Sequence, residues 1–451
     1  VVDSAALDAY ADTVTGPEGV LAATARTILD QLGHLTPEPA EPETSDTALI
    51  DAVEAELDPQ WFKMVTPTFD EQRAVLFDDR WASAREDLAR LANGADIAVQ
   101  RFAGTGEVVA QQAAWWAGQT SDKKLAQTLT SVSEIATQEP TEPWVEDVAL
   151  VTGAAPGSIA GALVEKLLAG GATVIMTASN VNDARKEYAR TLYANNASAH
   201  AKLWLVPANM SSFRDVDSLV EWIGTEQKVT VGKDVKVTKP ALTPTLVFPF
   251  AAPRVSGSLA DAGPAAENQA RLLLWSVERL IAGLSAIGVN TEVGRRLHVV
   301  IPGSPNRGRF GGDGAYGESK AALDALVNRW HAEPVWGENT SLVHALIGWV
   351  RGTGLMGGND PLVEAVEAAG VTTFSTEDIA KLLVSNISQD VRDKAATEPV
   401  TVDYTGGLGD ADVNLAELAR NAAANAASTS EDEEPRTVRA LPTPYRRFQA
   451  A

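Results

Sequence analysis

Apolar positions in the first part of the chain recur with a period of about 3.6 residues at 20–32, 47–57, 70–91 and 124–135, which places them on one face of a helix. A small helical domain is therefore expected over residues 1–145, interrupted at 35–46 by a Pro/Glu-rich linker. From residue 148 the pattern changes: short continuous apolar runs at 148–151, 173–178, 203–206, 245–250, 297–301, 342–347 and 400–402 alternate with helix-period stretches at 159–168, 182–193, 215–223, 267–284, 315–331 and 376–388. Continuous apolar runs mark strands buried on both faces, and strand–helix alternation predicts a parallel sheet with helices on either side. The expected fold class is α/β, a Rossmann-like doubly wound parallel sheet of about seven strands over residues 146–405, preceded by the helical region. Short β-type runs on either side of Gly232-Lys233-Asp234 predict an exposed hairpin within the sheet domain. Beyond Gly406-Gly407 an Ala-rich helix at 415–427 and an acidic tract at 428–435 read as a helix and a linker to a following domain.

Composition narrows the picture. The 451 residues are 45% hydrophobic, enough for a substantial core, and no run of about 18 apolar residues predicts a membrane span. A formal net charge of −23 disfavours nucleic acid and anionic membrane surfaces as partners. The chain contains no cysteine, which excludes disulfides, thiolate metal sites and a cysteine nucleophile and is compatible with a cytoplasmic location. Five scattered histidines give no metal-ligand spacing, so no metal is expected. The first residues, Val1-Val2-Asp3-Ser4, carry neither an initiator Met nor a basic, apolar leader, and the chain reads as a piece of something larger.

Two stretches carry candidate chemistry. Thr152-Gly153-Ala154-Ala155-Pro156-Gly157 ends the first expected strand of the sheet domain and opens a helix. Gly153 permits the tight turn, Gly157 lets the backbone approach a phosphate, and the helix start at Ser158 and Ile159 supplies N–H donors, the requirements of a dinucleotide pyrophosphate site. The second strand ends at Ser179-Asn180 with no acid to bind ribose hydroxyls. Ser179, with Arg185 or Lys186 nearby, suits a 2′-phosphate, so NADPH is the expected cofactor. Asn209 after the third strand and Ala251 after the fourth would line the adenine and ribose side.

In the second stretch, Ser304 follows the strand at 297–301, and Tyr316 and Lys320 stand four apart where a helix begins. That spacing stacks phenol and ammonium on one helical face, where a fixed cation would lower the phenol's pKa. Such a pair can pass a proton to a carbonyl oxygen, with the Ser304 hydroxyl hydrogen-bonded to the same atom.

The glycine turn together with Ser304, Tyr316 and Lys320 resembles the short-chain dehydrogenase/reductase family. The longer motifs 304–306, 310–320, 328–331 and 347–356 resemble the β-ketoacyl reductase region of fungal and actinobacterial type I multifunctional fatty acid synthases, and residues 76–81 resemble the helical structural region that precedes it. The resemblance implies NADPH-dependent reduction of a 3-oxoacyl chain on acyl carrier protein. Tyr316 would protonate the developing alkoxide, Ser304 would stabilise it, and Lys320 would hold the nicotinamide ribose while depressing the tyrosine's pKa. Gly348 and Thr353 would lie beside the nicotinamide. It also implies a homo-oligomer, hexameric in the full synthase, in which the carrier belongs to the same assembly. Arg307 and Arg309 are candidates for receiving an acidic carrier. No residue matches the helix asparagine that many family members use in a proton relay; Asn268 is the nearest and lies too far upstream. A reductase of free small ketones and a catalytically inactive structural module stay open beside this reading.

Overall fold

The structure, a computed structural model, describes residues 4–17, 19–31, 59–253, 255–289, 295–307, 312–353, 362–409 and 411. The linker expected at 35–46, the helices at 47–57 and 415–427, and the acidic tract at 428–435 lie outside these residues. The chain divides into two units, Val1–Pro59 and Gln60–Ala451. In the first, helices α1 (Ser4–Thr15) and α2 (Val20–Gln31) follow one another across a turn in which the Gly16 N–H donates to Asp12 O at 2.9 Å.

The second unit begins within α3 (Pro59–Val65) and continues through α4 (Arg80–Ala92), α5 (Glu107–Gln119) and α6 (Lys123–Ile135), which enclose Leu88, Phe102, Val109, Leu129 and Val132. Helix α5 escapes the periodicity reading because its exposed face also carries Val108 and Trp115, which blurs the apolar stripe. The single helix expected over 70–91 is a correction. Asp70 caps one 3₁₀ turn, Val75–Phe77 forms strand β1, and only then does α4 begin. The β1 residues Val75, Leu76 and Phe77 find antiparallel partners in Leu205, Trp204 and Leu203, a sheet edge that local periodicity does not report.

All seven strands expected from the apolar runs are present: β2 (Val148–Thr152), β3 (Thr173–Ala178), β4 (Lys202–Pro207), β7 (Leu246–Pro249), β8 (Leu297–Gly303), β9 (Thr340–Ile347) and β10 (Val400–Tyr404). The expected hairpin is β5 (Gln227–Val231) with β6 (Asp234–Lys239), a separate two-stranded sheet. The main sheet has eight strands in the order β1-β4-β3-β2-β7-β8-β9-β10, parallel except for β1. Its winding reverses between β2 and β7, the switch point beside which an open α/β sheet forms a crevice at its carboxyl edge.

One face is packed by α7 (Ile159–Ala169) and α8 (Asp183–Asn196) through Leu163, Leu167 and Leu192, and by α13 (Thr376–Ser385) through Ile379 and Leu383. The other is packed by α9 (Phe213–Gly224) through Val216 and Leu219, α11 (Ser276–Ser285) through Leu280 and Leu284, and α12 (Tyr316–Ala332) through Leu323 and Leu326. Between α9 and α11 run α10 (Pro264–Ala270) and one π-helical turn, Arg271–Trp275. Asp217, part of an Asp-Ser-Leu triplet on α9, makes a two-pronged ion pair with Arg279, at 2.6 and 2.7 Å.

A fully buried carboxylate ties the segment ahead of β1 to this sheet. Asp215 accepts from the Thr68 N–H at 2.7 Å, the Phe69 N–H at 2.9 Å and the Asn209 N–H at 2.8 Å. Replacing it by Ala strands three donors. Asp215→Ala is expected to lower unfolding free energy by about 3 kcal/mol in urea denaturation; a loss below about 1 kcal/mol would show that water replaces the carboxylate.

Candidate active site

The carboxyl ends of β2, β3, β7, β8 and β9 bring the sequence candidates to one rim of the sheet. Gly153 turns the chain out of β2 at φ +79°, and a Cβ there would sit 2.7 Å from the backbone of Ala251, so only glycine allows β2 and β7 to part so closely. Thr152 Oγ1 in turn accepts from the Ala251 N–H at 3.0 Å. At Gly157, φ is +72° and the nearest atom to an added Cβ is Gly352 O at 3.8 Å, leaving the loop open above its backbone. The Ser158 side chain is spent on the loop: Oγ accepts from the Ala155 N–H at 3.0 Å and, as the cap of α7, from the Gly161 N–H at 2.9 Å. The Ser158 N–H closes the loop onto Ala155 O at 3.1 Å, and the Ile159 N–H stands at the start of an eleven-residue helix, an arrangement that fits a pyrophosphate.

Sequence reading missed Gly161, where a Cβ would lie 2.5 Å from Tyr188 Oη and 2.7 Å from Ala155 O. Arg185 and Lys186, equivalent in sequence, are separated by the structure. Arg185 Nη1 donates to Ala154 O at 3.0 Å, inside the glycine loop, with its guanidinium over the Tyr188 ring; Lys186 pairs with exposed Asp183 at 3.7 Å. Ser179 lies exposed at the end of β3. The Asn209 side chain donates to Met64 O and Thr66 O at 2.7 and 2.9 Å, so its amide holds the preceding segment in place. Gly348 follows β9 and donates to Tyr404 O at 3.0 Å; any Cβ there would collide with the Thr405 carbonyl. Thr353 is buried beyond it.

Ser304, Tyr316 and Lys320 converge. Tyr316 opens α12 and is half-buried, with the Ser304 side chain close enough to its hydroxyl to ease the phenol's ionisation. Lys320 is buried one turn later, its Nζ donating to Pro302 O at 2.5 Å and lying 5.5 Å from the Tyr316 ring centre. Three residues not singled out from sequence hold this arrangement. Asp313 Oδ2 accepts from the Gly317 N–H at 3.0 Å and from Asn306 Nδ2 at 2.9 Å, while the Asn306 N–H donates to Ser304 Oγ at 3.1 Å. That last bond fills a lone pair on Ser304 and leaves its proton to face Tyr316 or a substrate oxygen. Gln269 Oε1 accepts from the Ala315 N–H at 2.6 Å, and its Nε2 donates to Asp313 O at 3.2 Å. An acid just ahead of a helix was the legible signal for Asp313; Gln269 gave none, being 46 positions from its partner.

The expected electrostatics need correcting. Burial pushes the Tyr316 phenol up, the Ser304 hydrogen bond offsets part of that, and Asp313 adds to the rise. Burial also pushes Lys320 down to about 7, toward its uncharged form, and it is not among the groups that bear on the phenol. Arg307, expected to be free on the rim, pairs with Asp324 at 3.0 Å; Arg309 lies outside the described residues. Asn268 Oδ1 is buried without a hydrogen-bond partner. Among the described residues no group of three or more His, Asp or Glu is placed to hold a metal ion.

No protein-family model matches the chain. It is 38% identical over 261 residues to the fatty acid synthase subunit alpha of Candida parapsilosis and 37% identical over 265 residues to that of Saccharomyces cerevisiae, in each case across 57% of this chain and 13% of the relative. The resemblance to fatty acid synthases drawn from the motifs is thereby borne out, and the chain spans about an eighth of those relatives (13%). Among solved structures, a 3-oxoacyl-[acyl-carrier protein] reductase from Brucella melitensis in complex with NAD is 16% identical, with a TM-score of 0.47 over 59% of this chain and 98% of that one.

The Lys320 environment predicts a pH dependence of stability. With the folded value near 7 and the unfolded value at 10.5, the unfolded chain holds a proton across that window that the folded chain has released. Stability from this residue therefore rises with pH from about 7 to about 10.5, by about 1.4 kcal/mol per unit. Urea unfolding at pH 7 and pH 9 should show a steeper rise in the wild type than in Lys320→Met; equal slopes would mean that Lys320 stays charged when folded.

Proposed function

We propose that residues 146–405 form an NADPH-dependent 3-oxoacyl-[acyl-carrier protein] reductase, a segment of a multifunctional fatty acid synthase. The observation that carries the reading is the convergence of Ser304, Tyr316 and buried Lys320 on the same sheet rim as an open glycine loop. Similarity to the synthase alpha subunits supports the biosynthetic setting. In this reading, Gly153, Gly157 and the Ile159 N–H hold the pyrophosphate, on a loop that Ser158 closes through Ala155. Arg185 and Ser179 take the 2′-phosphate, Ala251 and the Asn209 backbone wall the adenosine side, and Gly348 and Thr353 border the nicotinamide.

The bound cofactor supplies a hydride to the keto carbon. Tyr316, kept protonated by its surroundings, donates to the oxygen as charge develops there. Ser304 steadies that oxygen with the proton left free by the Asn306 N–H. Lys320 keeps donors beyond the one given to Pro302 O for the ribose hydroxyls and restores the phenol's proton. The acyl carrier protein of the synthase delivers the substrate. The full synthase is a cytoplasmic homohexamer in this proposal, with residues 1–145 as its structural helical region and 406–451 as a connector.

NADPH oxidation with a 3-oxoacyl thioester, paired with NADPH-binding titration, tests the reading. Tyr316→Phe should lower kcat at least about 100-fold while binding NADPH within about twofold of wild type. A wild-type protein that binds NADPH yet reduces neither small nor carrier-linked 3-oxoacyl thioesters would overturn it. Cofactor choice has its own check: Arg185→Ala should raise the KM for NADPH about 10-fold or more and leave that for NADH nearly unchanged. Equal effects on both would remove Arg185 from the 2′-phosphate site.

A further inference from the structure

The edge strand β1 brings more than hydrogen bonds to the sheet. It runs antiparallel to β4, with Val75 opposite Leu205 and Phe77 opposite Leu203, so the chain enters the sheet from the carboxyl rim. Arg73 precedes β1 by two residues and therefore stands at that rim, where β4 ends at Pro207. A side chain from outside the parallel strands thus reaches the edge that carries the candidate site.

Three anchors hold the stretch that leads to it. The Asn209 amide, just past β4, donates to Met64 O and Thr66 O, and Asp215 accepts from the Thr68 and Phe69 N–H groups. Asp70 then caps the 3₁₀ turn that presents Arg73. From there the Arg73 side chain spans the end of β4, and its Nη2 donates to Val181 O at 2.8 Å, in the turn that joins β3 to α8.

That turn also carries Ser179 and Asn180, both exposed. Arg185 serves its other flank, with Nη1 donating to Ala154 O at 3.0 Å in the glycine loop after β2. Because β3 lies between β2 and β4, the two arginines tie the turn to the glycine loop on one side and to the β1 segment on the other. Each commits one N–H to a backbone carbonyl, which fixes the direction of a planar fork with further N–H groups to give. Arg73 is exposed and forms no ion pair with a described residue. The two acids closest to it in sequence are engaged elsewhere, Asp70 on the Gln72 N–H and Glu71 on the Gln227 amide. In a chain with a net charge of −23, a directed and uncompensated guanidinium at this rim suits an anion.

We propose that Arg73 is a specificity-determining residue of the cofactor site, binding the 2′-phosphate of NADPH from the flank opposite Arg185. The proposal rests on the NADPH-dependent reading above. A phosphate monoester over Ser179 takes a charge-assisted hydrogen bond from each arginine, whereas a bare ribose hydroxyl gives a cation nothing to neutralise. The segment ahead of the sheet and the parallel sheet then build one binding site between them.

Calorimetric titration of the cofactor-free protein with two fragments isolates the contact, because adenosine 2′,5′-bisphosphate and adenosine 5′-monophosphate differ only in the 2′-phosphate. Wild type should bind the bisphosphate about 10-fold or more tighter. Arg73→Met should weaken bisphosphate binding about 10-fold and leave the monophosphate within about twofold of wild type, which also shows the variant to be folded. Arg73→Lys, which keeps the charge without the fork, should recover part of the loss. An equal loss for both fragments would make Arg73 a support of the turn rather than a ligand of the phosphate, and no loss for either would remove it from the site; each result overturns the proposal. If wild type binds the two fragments alike, the 2′-phosphate assignment falls, and turnover of a 3-oxoacyl thioester with NADH would keep the reductase reading. If wild type prefers the bisphosphate but reduces no such thioester, the reductase reading falls and the two titrations still decide the role of Arg73.

Discussion

The buried ammonium of Lys320 held against the carbonyl of Pro302 is the contact on which the site depends. It fixes the first turns of α12 to the end of β8, so the phenol of Tyr316 and the hydroxyl of Ser304 come from two elements yet lie side by side. Among the described residues no carboxylate pairs with it, and burial shifts the amine toward its neutral form. The same fold contains a contrasting case. Lys239, at the base of the hairpin, has three carbonyl acceptors, from Ile223, Thr225 and Pro240, and the Trp222 ring 4.6 Å away; burial takes it down to about 8. Lys239 is saturated and structural. Lys320 retains donors for a ligand.

Around that contact the structure builds a frame of hydrogen bonds rather than of ion pairs. Asp313 links the start of α12 to Asn306, Asn306 links it to Ser304, and Gln269 reaches from α10 to the Ala315 N–H. Each bond fixes the direction of a polar group, which is how a site is organised before its ligand arrives. The glycine loop follows the same logic by subtraction. Gly153 and Gly161 are bare because backbone or side-chain atoms already stand where a Cβ would go, and Gly157 is bare with open space above it.

The surrounding charge is used sparingly. A chain with a net charge of −23 keeps Arg185 at the mouth of the glycine loop, donating to the Ala154 carbonyl. Arg307, by contrast, is tied to Asp324, the carboxylate that borders His344. A rim arginine that looks free in sequence thus belongs to the polar group beneath α12.

The sequence by itself determined the α/β class, the seven parallel strands, the hairpin and the residues that meet at the rim. Periodicity, small-residue turns and the Tyr316–Lys320 spacing are local, and local signals survive without a fold. Tertiary structure decided what depends on distance across the chain. Val75–Phe77 became a strand because β4 offered it an edge, and Asn209 turned toward Met64 and Thr66 because those carbonyls lay within reach. Arg185 was distinguished from Lys186 by which side of α8 faces the loop. The charge state of Lys320 was likewise beyond the sequence, because burial is a property of everything packed around a group and not of its neighbours along the chain.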